Sequence, residues 1–217
     1  MERGGAGLVL DAKRSSVDFI MDPAARAFRG VSPNAISAMA LVLAGVSGVL
    51  IYFSYDQWQV LLPLAGILML ASGFLDGLDG KVARLTGKSS KRGDFIDHVF
   101  DRYADILMIG AVAVSAWCNI YLGLLAVVGV MLTSYMGTQA QAVGAGRQYG
   151  GILGRADRMV LMILATFVTW VLMFFDIRSF TIASYSITVF EVMMLWFAIV
   201  GNLTAIQRAV STYRSLK

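Results

Sequence analysis

The sequence predicts an all-α integral membrane protein with six transmembrane helices and an N-terminal cytoplasmic juxtamembrane helix. Three observations support this fold class. The 217-residue chain is 58% hydrophobic and only 15% charged, whereas soluble domains are about 25% charged. Six stretches are long and apolar enough to cross a bilayer, which takes about 20 residues. The basic residues fall almost entirely on one side of these stretches, as the positive-inside rule describes.

The same composition excludes other classes of protein. Disordered chains are poor in apolar residues and rich in charge, unlike this one. A disulfide scaffold is excluded because Cys118 is the single cysteine. The net charge of +4 is attributed to Lys and Arg held against an anionic lipid surface. Membrane lipid is therefore an expected partner, and nucleic acid is not.

The first predicted element is a helix over residues 15–29, with apolar residues at helical spacing and Ser15 and Asp18 as a candidate cap. Such a helix fits the membrane surface. Ser32 and Pro33 are then the expected N-cap and first helical residue of the first span. We treat residues 1–217 as one domain, with a cytoplasmic juxtamembrane arm (1–31) and a six-span core (32–210).

The candidate spans follow one another with short connections and cover about 34–55, 60–80, 95–117, 120–143, 158–177 and 184–206. With these six spans, all but two of the 18 Lys and Arg residues lie on the side of the chain termini. The exceptions are Arg102, inside the third span, and Arg178. Because Lys and Arg are retained on the cytoplasmic side, both termini and the second-to-third connection are predicted to lie in the cytoplasm.

Acidic residues cluster where the second and third spans meet. Asp76 and Asp79 lie three residues apart, and Asp97 and Asp101 lie four apart, so each pair shares one helix face. The short connection makes the two helices antiparallel neighbours. Four carboxylates in one groove repel one another unless some are protonated or divalent cations lie among them. Oxygen ligands favour Mg²⁺, Mn²⁺ or Ca²⁺ over zinc. The one histidine, His98, is interpreted as structural.

The spacing of these residues indicates a particular protein family more specifically than the acidic cluster alone. The chain matches the eight fixed positions of one signature, with the gaps that it requires: Asp76, Asp79, Gly80, Ala83, Arg84, Gly93, Asp97 and Asp101. This pattern resembles the signature of the CDP-alcohol phosphotransferases (CDP-alcohol phosphatidyltransferases). The resemblance extends over the whole chain, including the juxtamembrane helix and the six spans.

The resemblance implies a reaction and a role for each signature residue. Enzymes of this family transfer a substituted phosphoryl group from a CDP-linked donor to an alcohol and release CMP, in phospholipid biosynthesis. Two Mg²⁺ or Mn²⁺ ions would be held by Asp76, Asp79 and Asp97 with Asp101 nearby, and Asp101 would be the general base. The donor nucleotide would be bound by Gly80, Ala83, Arg84 and Gly93. The family also implies a homodimer.

The signature does not identify the acceptor alcohol. Arg102, Arg155 and Arg158 are candidates for binding a phosphate on the acceptor, because three cations beside a metal site suit an anionic substrate. This arrangement resembles the branch of phosphatidylinositol phosphate and archaetidylinositol phosphate synthases, which favours inositol phosphate. Gly137 departs from that branch, which often has Ser-Tyr-x-Lys where this chain reads Ser134-Tyr135-Met136-Gly137. Glycerol 3-phosphate, serine and other alcohols therefore stay open.

Two other classes of function use similar residues. An ion-coupled transporter also needs intramembrane carboxylates, but its sites usually lie near the bilayer midplane between repeats. Here the aspartates lie beside a basic connection and no repeat is evident. A family member that has lost its activity is the other alternative, and the intact signature argues against it. The sequence therefore favours an enzyme.

Overall fold

The structure, a computed structural model, describes residues 14–146, 153–182 and 184–216. Arg3, Lys13, Arg147 and Lys217, four of the basic residues behind the predicted orientation, lie outside these ranges, as do residues 1–13 of the predicted arm. The described residues pack as two compact units, one ending at Ala111 and the other beginning at Val112.

The first unit begins with three helices, α1 (Arg14–Ala27), α2 (Pro33–Phe53) and α3 (Trp58–Leu85). The predicted start of α2 is confirmed, because the Ser32 side chain accepts a hydrogen bond from the Ala35 N–H and Pro33 is the first helical residue. The three helices pack around one apolar cluster formed by Met21, Ala25, Ile36, Ala40, Leu75, Leu78 and Val82. This packing fixes α1 and α2 against the end of α3 that carries Asp76 and Asp79.

Helix α4 (Lys91–Val114) completes the first unit and enters the second. Its backbone approaches α2 closely: a Cβ atom on Gly48 would lie 2.5 Å from the Leu107 carbonyl oxygen. Only a residue without a side chain allows that approach.

The second unit contains α5 (Ile120–Ala142), α6 (Arg155–Met173) and a broken last helix. The last helix consists of α7 (Val189–Trp196), a π-helical turn (Phe197–Gly201) and α8 (Asn202–Ser215). Side chains satisfy the backbone at the break: Thr133 Oγ1 donates to the Gly201 carbonyl at 2.7 Å, and Asn202 Nδ2 donates to the Ala198 carbonyl at 2.7 Å. A π-helical turn whose backbone is bonded by side chains in this way commonly bends a helix.

A β-hairpin precedes α7 and corrects the prediction that the last span starts near residue 184. Strands β1 (Phe180–Ile182) and β2 (Tyr185–Ile187) pair antiparallel, with Thr181 opposite Ser186. The segment is rich in β-branched and aromatic residues, which favour strands. Thr188 then caps α7 by accepting a hydrogen bond from the Glu191 N–H.

Glu191, which falls inside the predicted sixth span (184–206), joins two helix starts. Its carboxylate accepts hydrogen bonds from the Asn119 N–H, just before α5, and from the Thr188 N–H, each at 2.9 Å. The Thr188 hydroxyl in turn donates to the Trp117 carbonyl at 2.6 Å. Glu191 therefore holds the starts of α5 and α7 together, and its negative charge complements the N-termini of both helices.

Five helical segments are long and apolar enough to cross a membrane, judged by length and composition: Pro33–Phe53, Trp58–Leu85, Ile120–Ala142, Arg155–Met173 and Val189–Ser215. Among the described residues, α4 is the predicted span that is not in this set, because its first half carries the charged residues of the site. The protein is thus an all-α, multi-pass integral membrane protein, and the count of six spans is approximate.

Candidate metal and nucleotide site

The carboxylates of α3 and α4 meet next to the connection between these helices. This connection covers only residues 86–90, and Gly87 in it has a φ of +66°, a conformation that favours glycine. One carboxylate oxygen from each of Asp76, Asp79 and Asp97 lies within 4.8 Å of the others. Asp79 is buried, at 5% exposure. The structure therefore brings together three of the four predicted metal ligands in one cluster.

Asp101 belongs to an overlapping cluster one turn further along α4. Ligand atoms of Asp97, His98 and Asp101 lie within 4.8 Å of one another, and Asp97 is common to both clusters. Asp101 is buried, at 6% exposure. The four aspartates thus form a continuous row of oxygen donors, which matches the ligand preference of Mg²⁺ and Mn²⁺.

A serine that the sequence analysis did not identify orients one of these carboxylates. Ser37 lies on the second turn of α2 and is buried. Its hydroxyl donates a hydrogen bond to Asp79 Oδ2. The start of α2 was predicted correctly. A polar residue one turn into this apolar helix was therefore the feature of the sequence that could have identified Ser37.

A pocket of about 400 Å³ adjoins the carboxylates. It is formed by the first turns of α2 and α4, the last turns of α3 and the connection between α3 and α4, and its lining includes Asp79, Gly80, Ala83, Arg84, Gly93 and Asp97. All four predicted nucleotide-binding residues therefore line one pocket. Asn34, Ser37 and Lys88 also line it, and these three residues lie outside the predicted site.

The packing of the protein does not itself require a glycine at position 80. A Cβ atom there would come no closer than 3.5 Å to another group, the Nη1 atom of Arg84, which is an ordinary contact. Gly93 is similar, with Ser90 Oγ at 3.4 Å as the nearest group. A demand for glycine at these positions would have to come from a ligand that approaches the backbone.

Arg102 contacts two acidic residues on its own helix. Its Nη2 atom lies 3.6 Å from Asp101 Oδ2 and 3.8 Å from Asp105 Oδ2. Asp105 is buried, and this ion pair supplies the partner that a buried carboxylate needs. Arg102 thus lies beside the row of aspartates, next to the predicted base.

Arg155 and Arg158 belong to the second compact unit, at the start of α6. Helix α6 begins earlier than the predicted residue 158 because the Asp157 carboxylate accepts a hydrogen bond from the Gly154 N–H at 2.9 Å. Arg158 is buried, at 3% exposure. Binding of an acceptor phosphate by these two arginines stays a prediction.

Comparison with known proteins identifies the family. The sequence model of the family described as CDP-alcohol phosphatidyltransferase matches residues 30–204. An archaetidylinositol phosphate synthase of Pyrococcus horikoshii is 31% identical over 137 residues, which cover 63% of this chain and 70% of that protein. A phosphatidylinositol phosphate synthase of Streptomyces avermitilis is 29% identical over 198 residues, covering 86% of this chain and 74% of that protein.

Other relatives are longer than this chain. A bifunctional IPC transferase and DIPP synthase of Archaeoglobus fulgidus is 26% identical over 177 residues, and the match covers 76% of this chain but only 35% of that protein.

Solved structures share the fold. The crystal structure of Mycobacterium tuberculosis phosphatidylinositol phosphate synthase with CDP-DAG bound superposes with a TM-score of 0.69 at 20% identity, covering 89% of this chain and 94% of that one. A structure of the same protein in complex with manganese and citrate has a TM-score of 0.68 at 19% identity and covers 89% of this chain and 88% of that one.

The family match decides between the classes that the sequence left open. A phosphotransferase that uses a CDP-linked lipid donor and an alcohol acceptor in phospholipid synthesis is supported, and an ion-coupled transporter is not. With its signature aspartates on two adjacent helices and the match over residues 30–204, the chain belongs to the CDP-alcohol phosphatidyltransferase family.

Proposed function

We propose that the chain transfers a substituted phosphoryl group from a CDP-linked lipid to the hydroxyl of a polar alcohol, with divalent metal ions and release of CMP. The observation that carries this proposal is the cluster of Asp76, Asp79 and Asp97, whose ligand oxygens lie within 4.8 Å of one another, beside the pocket lined by the nucleotide-binding signature residues.

The donor set fits two Mg²⁺ or Mn²⁺ ions. All four proposed ligands, Asp76, Asp79, Asp97 and Asp101, offer carboxylate oxygens, the donors that these hard cations prefer. When bound, the ions would neutralise the charge on the diphosphate and on the departing CMP. Ser37 would hold Asp79 in the orientation needed for ligation through its hydrogen bond.

The pocket suits the anionic part of the donor. Arg84 presents a planar guanidinium that can bind two phosphate oxygens, and Lys88 adds a second positive charge. The first turns of α2 and α4 both reach the pocket, and helix N-termini attract anions. Gly80 and Gly93 would let the nucleotide lie against the backbone.

Asp101 is the proposed general base toward the acceptor hydroxyl. A carboxylate beside cations is a weak base, so its contribution depends on placement more than on basicity. Its buried position at the end of the row of aspartates, with Arg102 Nη2 at 3.6 Å, supports this role, and the acceptor hydroxyl would have to lie within hydrogen-bond reach of its carboxylate.

Inositol phosphate is the proposed acceptor. Arg102, Arg155 and Arg158 are the residues proposed to bind its phosphate, and relatives matching most of the chain are named as archaetidylinositol and phosphatidylinositol phosphate synthases. The second candidate is glycerol 3-phosphate, which stays open because Gly137 stands where the inositol-phosphate branch often has a lysine. Both carry a phosphate, so both would use the arginines.

An acceptor screen tests the proposal. Purified protein is supplied with a CDP-lipid, Mg²⁺ and one acceptor at a time, and CMP release is measured. We expect turnover with inositol phosphate that is lost in Arg155→Ala and Arg158→Ala and retained in Arg178→Ala, the matched control. Activity with unphosphorylated alcohols alone would overturn the arginine assignment, and no CMP release with any acceptor would overturn the proposed function.

The membrane orientation and assembly are further parts of the proposal. The segregation of basic residues in the sequence supports placing both termini and the site on the cytoplasmic side of the cell membrane. A homodimer is proposed from the family resemblance alone, and the mass of the detergent-solubilised protein would test it.

A further inference from the structure

His98 lies beside the proposed metal ligands, although the sequence analysis interpreted it as structural. Its side chain is 31% exposed. One of its ring nitrogens can join Asp97 and Asp101 in a group whose ligand atoms lie within 4.8 Å of one another. The cluster therefore contains a nitrogen donor as well as carboxylate oxygens.

The two ring nitrogens of His98 face different carboxylates. Nδ1 lies 3.9 Å from Asp97 Oδ2, and Nε2 lies 3.4 Å from Asp94 Oδ1. Asp97 is a proposed metal ligand, whereas Asp94 lies outside the signature. A histidine that binds a metal usually places its second nitrogen against a carboxylate, which fixes the tautomer and the ring orientation. His98 has this arrangement before any metal is considered.

An ordinary helix-surface pair explains only half of the geometry. Asp94 and His98 are four residues apart, a spacing at which side chains on a helix commonly interact. That pair accounts for Nε2 but not for the position of Nδ1 near Asp97. Two donors on one ion can be at most about 4.2 Å apart, because each bond is about 2.1 Å long. The 3.9 Å separation between Nδ1 and Asp97 satisfies this limit.

We propose that Nδ1 of His98 is an additional ligand of the metal ion bound by Asp97 and Asp101, with Asp94 as its outer carboxylate partner. This inference rests on the proposed metal site. Imidazole nitrogen favours transition metals over Mg²⁺. His98 therefore shifts the preference of the site toward Mn²⁺ and Co²⁺.

Electron spin-echo spectroscopy of bound Mn²⁺ tests the inference without measuring activity. His98 is the only histidine of the chain, so imidazole nitrogen coupling in tag-free protein, in a buffer without imidazole, can come from this residue alone. We expect the coupling in the wild type and its loss in His98→Gln. His98→Gln should also raise the Kd for Mn²⁺ about tenfold while leaving the Kd for Mg²⁺ unchanged, an effect of the size seen for perturbed metal shells.

Two carboxylate variants separate a specific effect from a general loss of charge. Asp94→Asn should keep the nitrogen coupling but weaken Mn²⁺ binding. Asp22→Asn is the matched control, because Asp22 is an exposed acid paired with Lys81, and it should leave Mn²⁺ binding unchanged.

The outcomes distinguish this inference from the proposed function. Bound Mn²⁺ without nitrogen coupling in the wild type would overturn the role of His98 and leave the aspartate site intact. Absence of Mn²⁺ binding, or Mn²⁺ binding that Asp97→Asn does not weaken, would overturn both.

Discussion

At the scale of single residues, the site depends on side chains that hold other side chains in place. Ser37 contacts Asp79 from a different helix, and Arg102 lies between Asp101 and Asp105. Such contacts determine where a carboxylate points, which matters because ligand geometry sets metal affinity. The next four predictions concern individual residues.

Asp101→Asn should abolish turnover and leave donor binding largely intact. The amide keeps the shape of the side chain but cannot accept the proton of the acceptor hydroxyl. CMP release and binding of the CDP-lipid are measured on the same preparation. Robust activity in the variant would refute the assignment of Asp101 as the base.

Ser37→Ala should weaken Mg²⁺ binding by about tenfold, because the hydrogen bond that orients Asp79 is lost. Calorimetric titration with Mg²⁺ measures the change. Ser47→Ala is the matched control, since Ser47 is also buried on α2 but donates to the Ala44 carbonyl of its own helix at 2.8 Å. Equal affinities in the two variants would show that the Ser37 contact does not orient a ligand.

Cys118 should react slowly with alkylating agents in the folded protein. Burial, with a smaller effect of the nearby Glu191 carboxylate, raises the pKa of the Cys118 thiol to about 12. Since the thiolate is the reactive form, the alkylation rate of the folded protein should still be rising steeply at about pH 10, whereas the denatured chain should pass half of its maximal rate at the ordinary pKa of a free thiol, about 8.5. A half-maximal rate at that pH in the folded protein would contradict this.

The same shift predicts a loss of stability in alkali. A thiol with a raised pKa stabilises the fold while both states are protonated. This contribution is lost progressively as the pH rises from the pKa of the unfolded thiol to the folded pKa of about 12, because in that range the unfolded chain binds fewer protons than the folded one.

At the scale of elements, close helix contacts depend on residues with little or no side chain. Gly48 of α2 faces the Leu107 carbonyl of α4, which brings the helix that carries Ser37 against the helix that carries Asp97 and Asp101. Small residues at such contacts are typical of membrane helices.

Gly48→Ala should destabilise the protein by about 1–3 kcal/mol, the usual cost of overpacking, because its Cβ would lie 2.5 Å from a backbone oxygen. Gly45→Ala is the control on the same helix. Its Cβ would meet only the Leu107 Cδ1 atom, at 3.5 Å, and alanine improves helix propensity by up to about 1 kcal/mol. Thermal unfolding in detergent should give a lower Tm for the first variant and a higher Tm for the second. Equal Tm values would contradict the proposed contact.

At the scale of the whole molecule, the helices and the signature could be predicted from the sequence, and some details could not. Hydropathy and the Ser32-Pro33 pair placed the start of each helix of the predicted six-span core within five residues, but the last span was predicted to end near residue 206, whereas α8 ends at Ser215. The hairpin at Phe180–Ile187 was missed because its residues are apolar enough to continue a span. Ser37 and the ring orientation of His98 were missed because they depend on contacts between side chains, which spacing along the chain does not encode.

Labelling of single cysteines should test the orientation of the whole molecule. In a Cys118→Ala background, Asp56→Cys lies in the connection between α2 and α3, and Ser89→Cys lies in the connection between α3 and α4. We expect a membrane-impermeant maleimide to label position 56 in intact cells and position 89 only after permeabilisation. The reverse pattern would invert the proposed topology.

The connection between α3 and α4 has a consequence for how this protein could evolve. All four proposed metal ligands lie in one uninterrupted stretch from Asp76 to Asp101, so the proposed chemical centre is inherited as a single helical hairpin. Under the proposed assignment of Arg155 and Arg158 to the acceptor, substitutions in the later helices would alter the choice of alcohol without dismantling the reaction. A graft of the α6 entry from a relative that uses another acceptor is then expected to change specificity while the helical hairpin keeps the transfer step.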